Sequence, residues 1–531
     1  MFEYWAKAAC PREQMVLFPK SLELMIPEDH QVRLLVELLD LYDWTAWEAR
    51  YDGRIGQPPI HPKVLAGLIL YGMKQAVRSS RRLEYMAEHA IDFMWLMEGR
   101  KPDHSTICEF RTKFGPELKD LFRNVVRMAL EGGFLKLTEM FFDGTRVKAN
   151  NSRHETWTAE KIEKAIAELG KEFDAALEEF AKNDQSRTEG PQDSDFVLPS
   201  NLADLKKRQK LLKEIQQKVQ EADAIRKKEG IDPKKNPAQI PKHDVDGRVM
   251  PNKEGGYAVN FNPVVATEGH GGYIVHADVL NTVHEHDALV PAIDDVVATF
   301  GQAPAAVGAD TAFSTGPNIA ELEARQIEFL SPLPEVAIPG PNPAIRPDPT
   351  QPVPETEWAA LPVNKQHKML DKACFVYDAE RDIYLCPQGR ELPFEQKKTD
   401  TAHGKKIELF LYRSESCEGC PLKGRCISPK NNSGARTISR DVHTETRERH
   451  AEKMKLPESQ EKYSHRMHGA ETPFAYIKHV LGLRQFLLRG LKKVKLEWLW
   501  ACLANNVWKL VRDIRSLRAQ QKVQMAEMKA E

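Results

Sequence analysis

The chain has 531 residues, 41% of them hydrophobic and 29% charged, with a formal net charge of −1. That length predicts two to four compact units with real cores, and the near-zero total charge excludes a chain that is basic throughout. No run of about 18 apolar residues predicts a membrane span, and MFEYWAKAACPREQ lacks the basic-then-apolar layout of a signal peptide, so a cytoplasmic protein is expected.

Residues 17–135 are predicted all-helical. RLLVELLDLYDW (33–44), HPKVLAGLILYGMKQAV (61–77) and LKDLFRNVVRMALEGG (118–133) carry apolar residues at helical spacing. Between them, RKPDHSTICEFRTKF (100–114) predicts a short amphipathic helix with Glu109, Arg111 and Lys113, as in a helix-turn-helix module or a plain helical bundle. Residues 1–135 are therefore a candidate DNA-binding or assembly domain.

TEMFFDGTRVKAN (138–150) reads as a buried strand that delivers Asp143 at its end, within a segment set at 136–151. Asp-Gly is also an ordinary turn dipeptide. Residues 152–242 change character. Ile162, Ile166, Leu169 and Phe173, then Leu205, Leu212, Ile215 and Val219, predict an antiparallel helical hairpin.

Strands return over 243–333. GYAVNFNPVVAT and GYIVHADVL are joined by EGHGG, and AAVGAD (305–310) is a further apolar strand ending in Asp310. Residues 334–365 are proline-rich and predict an extended linker. Residues 366–440 hold Cys386, Cys417, Cys420 and Cys426, a set that would suit structural zinc or packed reduced thiols. Helices are predicted to fill 441–531, and residues 436–531 hold 20 Lys and Arg against 11 Asp and Glu.

Two strands that each end in an aspartate suggest a site for a hard divalent cation, which prefers oxygen ligands. A third carboxylate is available at Glu471 in YSHRMHGAETPFAYIKHVLGLRQFLLRGLKKVKLEWLW, where Pro473 predicts that a helix starts beside it. Lys478, Arg484, Arg489, Lys492, Lys493 and Lys495 follow. Asp278 is a rival to Asp310 as a ligand; His276, His284 and His286 nearby suggest a transition-metal site, but their spacing sets them on separate faces or elements, and Asp244 and Asp246 read as loop acids.

DGTRVKAN, VGADTAFS and AETPFAYIK…GLRQFLLRGL…LANN resemble the three signature blocks of DDE transposases from bacterial insertion sequences. The helical N-terminal stretch and the Cys-bearing insert resemble one branch of that family, and the resemblance covers most of residues 15–515. It implies an α/β ribonuclease-H-like catalytic core, with an all-α N-terminal domain, a helical hairpin insert and a small Cys-containing insert. Asp143, Asp310 and Glu471 would be the catalytic trio and the ligands of Mg²⁺ or Mn²⁺. Arg466, Lys478, Arg484, Arg489, Lys492 and Lys493 would hold DNA, and Tyr463 would support them. One departure is visible: four residues separate Arg466 from Glu471, where the family signature has three.

The activity so implied is divalent-metal-dependent cleavage at the element ends and strand transfer into target DNA. The partners would be double-stranded DNA (terminal repeats and target) and further copies of the chain, with the protein on the nucleoid when bound. A non-catalytic DNA-binding protein of transposase ancestry, and a metal-dependent nuclease without strand transfer, are the alternatives.

Overall fold

The computed structural model describes residues 21–530 except 53–57, 186–199, 229–231, 253–254, 334–341, 365–367, 403–404, 416 and 429–433. Two compact units divide the chain. The first takes in residues 1–308 and 465–531, and the second residues 309–464. No helix among the described residues is long and apolar enough to cross a membrane.

The N-terminal helices of the first unit pack against its last one rather than forming a body of their own. Helix α1 (Pro62–Lys74) opens with Pro62 at its first position and His61 as N-cap, and is buried along most of its length. It is apolar all round because it has helical neighbours on several sides. Helix α2 (His104–Lys113) is capped by Asp103, which accepts from the Thr106 N–H at 2.6 Å. Helix α3 (Gly115–Glu131) follows and buries Leu118, Leu121, Phe122, Val125 and Val126. Arg111 of α2, expected on a basic face, points inward instead. Burial pushes its pKa down to about 10, with Glu497 nearby as the opposing charge.

The sheet of this unit starts with β1 (Glu139–Gly144) and the short β2 (Val147–Lys148). Then α4 (Ala159–Gln185) and α5 (Ser200–Lys228) form the helical insert, clustered on Ile162, Ile215 and Val219. The loop predicted between them lies mostly outside the described residues. Strand β3 (Tyr257–Glu268) runs antiparallel to β1, with Asp143 opposite Val265, and β4 (Ile274–Leu280) runs antiparallel to β3. The Ala305 and Ala306 N–H groups both donate to the Thr138 carbonyl, so the strand starting at Ala306 enters beside β1. In the EGHGG turn, the buried Glu268 carboxylate accepts from the His270 and Tyr273 N–H groups at 3.0 and 3.2 Å.

After the second unit come α6 (Arg466–Ala475), a wide π turn at Tyr476–Val480, and the long α7 (Leu491–Ala530). Trp498, Leu503 and Val507 of α7 are core residues, and Trp508 Nε1 donates to the Leu70 carbonyl of α1 at 3.0 Å.

The second unit holds a five-stranded antiparallel sheet in chain order: Val376–Asp378, Ile383–Leu385, Glu391–Ala402, Lys405–Arg413 and Thr437–Asp441. Tyr384, Leu392, Tyr412, Leu422 and Cys426 make its core, and Ala344, Val353 and Leu361 join them. Those three come from the stretch expected as an extended linker. Proline fixes φ and limits regular pairing, but it does not stop an apolar segment from packing.

Candidate functional site

Strand β1 puts Met140, Phe141 and Phe142 in the core and then delivers Asp143, itself only 5% exposed. A buried carboxylate needs a counter-charge or donors. Arg466 supplies one, with Nη2 3.3 Å from Asp143 Oδ1, and the Gly144 N–H donates to the same oxygen at 2.8 Å. Arg466 opens α6, so the helix carrying Glu471 is anchored at the end of β1.

Packing fixes the same approach. A Cβ at Gly469 of α6 would lie 2.3 Å from Phe141 Cδ2, so only glycine lets α6 press this close to β1. One turn past α6, the Lys478 ammonium donates to Thr145 Oγ1, just beyond Asp143. Arg466, Gly469 and Lys478 thus bring one helix and its π turn onto one strand end.

Glu471 is placed differently from the expectation. It sits in the second turn of α6, exposed to solvent, and Pro473 lies inside the helix rather than at its start. The helix begins earlier because residues 466–470 continue its turn without a break. Pro473 then removes one N–H from the ladder, and the chain widens into the π turn that carries Lys478.

Asp310 opens the second unit. Its carboxylate accepts from the Ala312 N–H at 2.9 Å, and its carbonyl accepts from Ser331 Oγ at 2.7 Å. Tyr463 also belongs to the second unit.

Two acids that sequence reasoning passed over frame the first unit's site. A Cβ at Gly144 would fall 1.5 Å from Glu285 Oε2, so a further carboxylate lies directly against the residue after Asp143. Arg146 approaches that carboxylate at 4.0 Å and donates to the Val283 carbonyl at 2.8 Å. Glu497 is the second acid. It receives the Leu487 and Leu488 N–H groups and pairs with Arg78 at 2.6 Å.

These contacts hold the segment Gly482–Gly490 as a strap. Arg78 also donates to the Gly482 and Gln485 carbonyls, the Phe486 N–H donates to Lys148 of β2 at 2.9 Å, and Gln485 donates to Ala149. Asp244 and Asp246 accept from the Gly490 and Leu491 N–H groups at 3.0 and 2.9 Å, satisfying the start of α7. With Leu483 and Phe486 buried, Arg484 and Arg489 point outward, and Lys492 and Lys493 are exposed on the first turn of α7. Arg484 contacts His479 at 2.8 Å, and Arg489 donates to the Asn150 carbonyl at 3.2 Å.

Two of the rival residues are taken up in ion pairs. Asp278 pairs with Lys495 at 2.7 Å, and His276 with Asp295 at 2.8 Å. Hydrogen bonding from His276, with Lys119 adding, holds the Asp295 carboxyl well below the usual carboxylate range.

In the second unit Cys386, Cys417, Cys420 and Cys426 line one cavity. Cys386 opens one tight turn, Cys417 and Cys420 frame another, and Cys426 ends the short helix Lys423–Cys426. The Gly389 N–H donates to the Cys386 carbonyl at 2.8 Å, and the Cys420 N–H to the Cys417 carbonyl at 3.3 Å, with Gly389 and Gly419 at φ +71° and +67°. Burial pushes the Cys426 thiol up to about 12 and also raises Cys386, although backbone N–H groups of Gln388 and Arg390 aimed at the Cys386 sulfur oppose the latter. Among the described residues, no group of three or more His, Cys, Asp or Glu side chains stands close enough to hold a metal ion as it is.

Comparison with known proteins adds the family. Residues 385–511 match the transposase DDE domain model, and residues 20–113 match a second transposase domain (DUF772). The first match spans the four cysteines, Glu471, Lys478 and the strap; Asp143 and Asp310 lie outside both. No curated protein matches the chain. Among solved structures, a synaptic complex of the piggyBac transposase with hairpin DNA is similar at 11% identity and a TM-score of 0.29, over 92% of this chain and 76% of that one. Two separate transposase domain models thus match the sequence, one of them a DDE domain, and the chain is a DNA transposase of the DDE type.

Proposed function

We propose that this transposase cuts DNA at the ends of its element and joins the freed 3′ end to target DNA, using Asp143, Asp310 and Glu471 as its catalytic carboxylates. The observation that carries the reading is the docking of α6 on β1, which ties Arg466 to Asp143 and Lys478 to Thr145. The antiparallel β4, β3 and β1, with the strand from Ala306 entering beside β1, support a ribonuclease-H-like core.

Mg²⁺ or Mn²⁺ fits this donor set by chemistry: carboxylate oxygens are hard ligands, and the buried Asp143 already draws a cation. Bound there, the cations would stabilise the charge that builds on the attacking and leaving oxygens. The chain's own residues do the positioning. Arg466 fixes the Asp143 carboxylate at the strand end, Lys478 holds the turn beyond it, and Glu285 fills the space beside Gly144. Arg484, Arg489, Lys492 and Lys493, presented by the strap, would take phosphates of the duplex.

A structural zinc in the second unit is part of the same proposal. Four soft sulfur donors around one cavity suit tetrahedral zinc, which binds cysteine as thiolate.

The test is cleavage of a plasmid carrying the element ends, with Mg²⁺, by the wild type and by Asp143→Ala, Asp310→Ala and Glu471→Ala. Loss of cutting in all three with DNA binding retained supports the trio, and joined products separate a transposase from a nuclease. Mutants that cut as well as the wild type would sink it.

A further inference from the structure

A cavity of about 400 Å³ opens in the first unit between α1, α7 and the π turn. Four cations line it, Lys74 of α1 and Lys509, Arg512 and Arg515 of α7, and none of its lining residues is an Asp or Glu. The carboxylate next along α7, Asp513, accepts from the Tyr273 hydroxyl at 2.6 Å and pairs with Arg512 at 3.1 Å. Asp513 and Glu268 are the carboxylates acting on Lys509, and neither lines the cavity itself.

The cations are also held in place. Lys74 Nζ donates to the Tyr476 hydroxyl at 3.2 Å and lies 5.5 Å from the centre of the Trp508 ring. Lys509 Nζ lies 5.6 Å from the Tyr273 ring and close over Gly272, where a Cβ would come within 3.3 Å of it. Lys509 and Arg512 are three apart on one helix face, a like-charge pairing that disfavours the helix unless an anion joins it. Burial lowers the Lys509 pKa, and Arg512 lowers it further, as expected of a cation short of counter-charge.

We propose that this cavity binds a phosphate of the DNA backbone, gripped by Lys74, Lys509, Arg512 and Arg515, and so anchors duplex at a point separate from the carboxylates. The proposal rests on the reading that this transposase acts on DNA. Tyr476 belongs to the π turn between Glu471 and Lys478, so an occupied cavity would also brace the helix that carries Glu471.

The experiment measures binding of the full chain to element-end DNA, by fluorescence anisotropy, as salt rises from about 50 to about 200 mM. The variants are Lys509→Gln with Arg512→Gln, the charge-keeping Lys509→Arg, and Arg518→Gln further along α7, where Arg518 is exposed and pairs with Glu37. For the double variant we expect affinity to fall about tenfold at low salt, and the log–log salt slope to shrink by about two. Lys509→Arg and Arg518→Gln keep the wild-type slope.

A free anion would give the same chemistry. A wild type that is thermally stabilised by inorganic phosphate, with a DNA slope unchanged in the double variant, would overturn the backbone assignment. An unchanged slope while the wild type still cuts DNA removes the cavity proposal and leaves the catalytic reading standing. A wild type that binds no DNA removes both.

Discussion

Two segments proposed to carry chemistry are held in opposite ways. The strap Gly482–Gly490 is fixed by Arg78, Lys148 and Asp244 from far along the chain and by Glu497 of α7. The cysteine turns at 386–389 and 417–420 are closed by backbone bonds within four residues, and their cysteines line one cavity. The first arrangement needs the whole first unit to be folded. The second is local, and if it holds the proposed zinc its stability would depend on that ion.

The sharpest way to break the contrast is Glu497→Ala. It leaves the buried Arg78 unpaired and two strap N–H groups without an acceptor, and we expect a loss of about 3–5 kcal/mol in denaturant unfolding. A loss below 1 kcal/mol would mean that the strap is held mainly by its backbone.

Stripping metal from the second unit is the counterpart. The purified chain should carry about one zinc, and a strong chelator should lower the melting of the Cys-bearing unit. Elemental analysis and calorimetry check this together; no zinc and an unchanged melting curve would leave packed thiols as the whole account.

Gly144→Ala tests a different kind of closeness. The new methyl would displace the Glu285 carboxylate, so we expect DNA cleavage to fall at least tenfold while binding persists. Wild-type cleavage would mean that Glu285 moves aside freely.

Asp244→Asn gives the mildest effect on the strap. Burial raises the Asp244 pKa, with the Gly490 N–H opposing, so the charged form is disfavoured in the fold. A raised folded pKa means that stability is lost as pH rises from the ordinary carboxylate pKa through the folded one. The Asn variant keeps an acceptor and drops the charge. It should match the wild type in acid and be slightly the more stable at neutral pH, in melting curves recorded at both. Arg484→Gln, at an exposed tip of the strap, should change stability by less than about 0.5 kcal/mol and weaken only DNA binding.

How much of this the sequence carried depends on distance along the chain. The end of β1 at Asp143, the two strands around EGHGG and the apolar face of α7 were legible, because each is written in local periodicity and turn chemistry. Glu285 against Gly144, Arg78 on Glu497 and the Asp244 and Asp246 acceptors were not, since each joins residues far apart in sequence. Asp244 and Asp246 look like ordinary loop acids until the start of α7 is seen to need them. The start of α6 was misplaced for another reason. Pro473 is a strong helix-start signal, but the five residues before it were already helical.

The one-residue departure between Arg466 and Glu471 has a geometric consequence. An α-helix turns by about 100° per residue, so five steps along α6 set these side chains roughly 140° apart around its axis. With three intervening residues they would lie about 40° apart, on a shared face. In this chain α6 turns Arg466, and not Glu471, toward the end of β1. The guanidinium therefore holds Asp143 while Glu471 faces solvent on another side of the helix, and the catalytic role proposed for Glu471 would require α6 to turn about its axis.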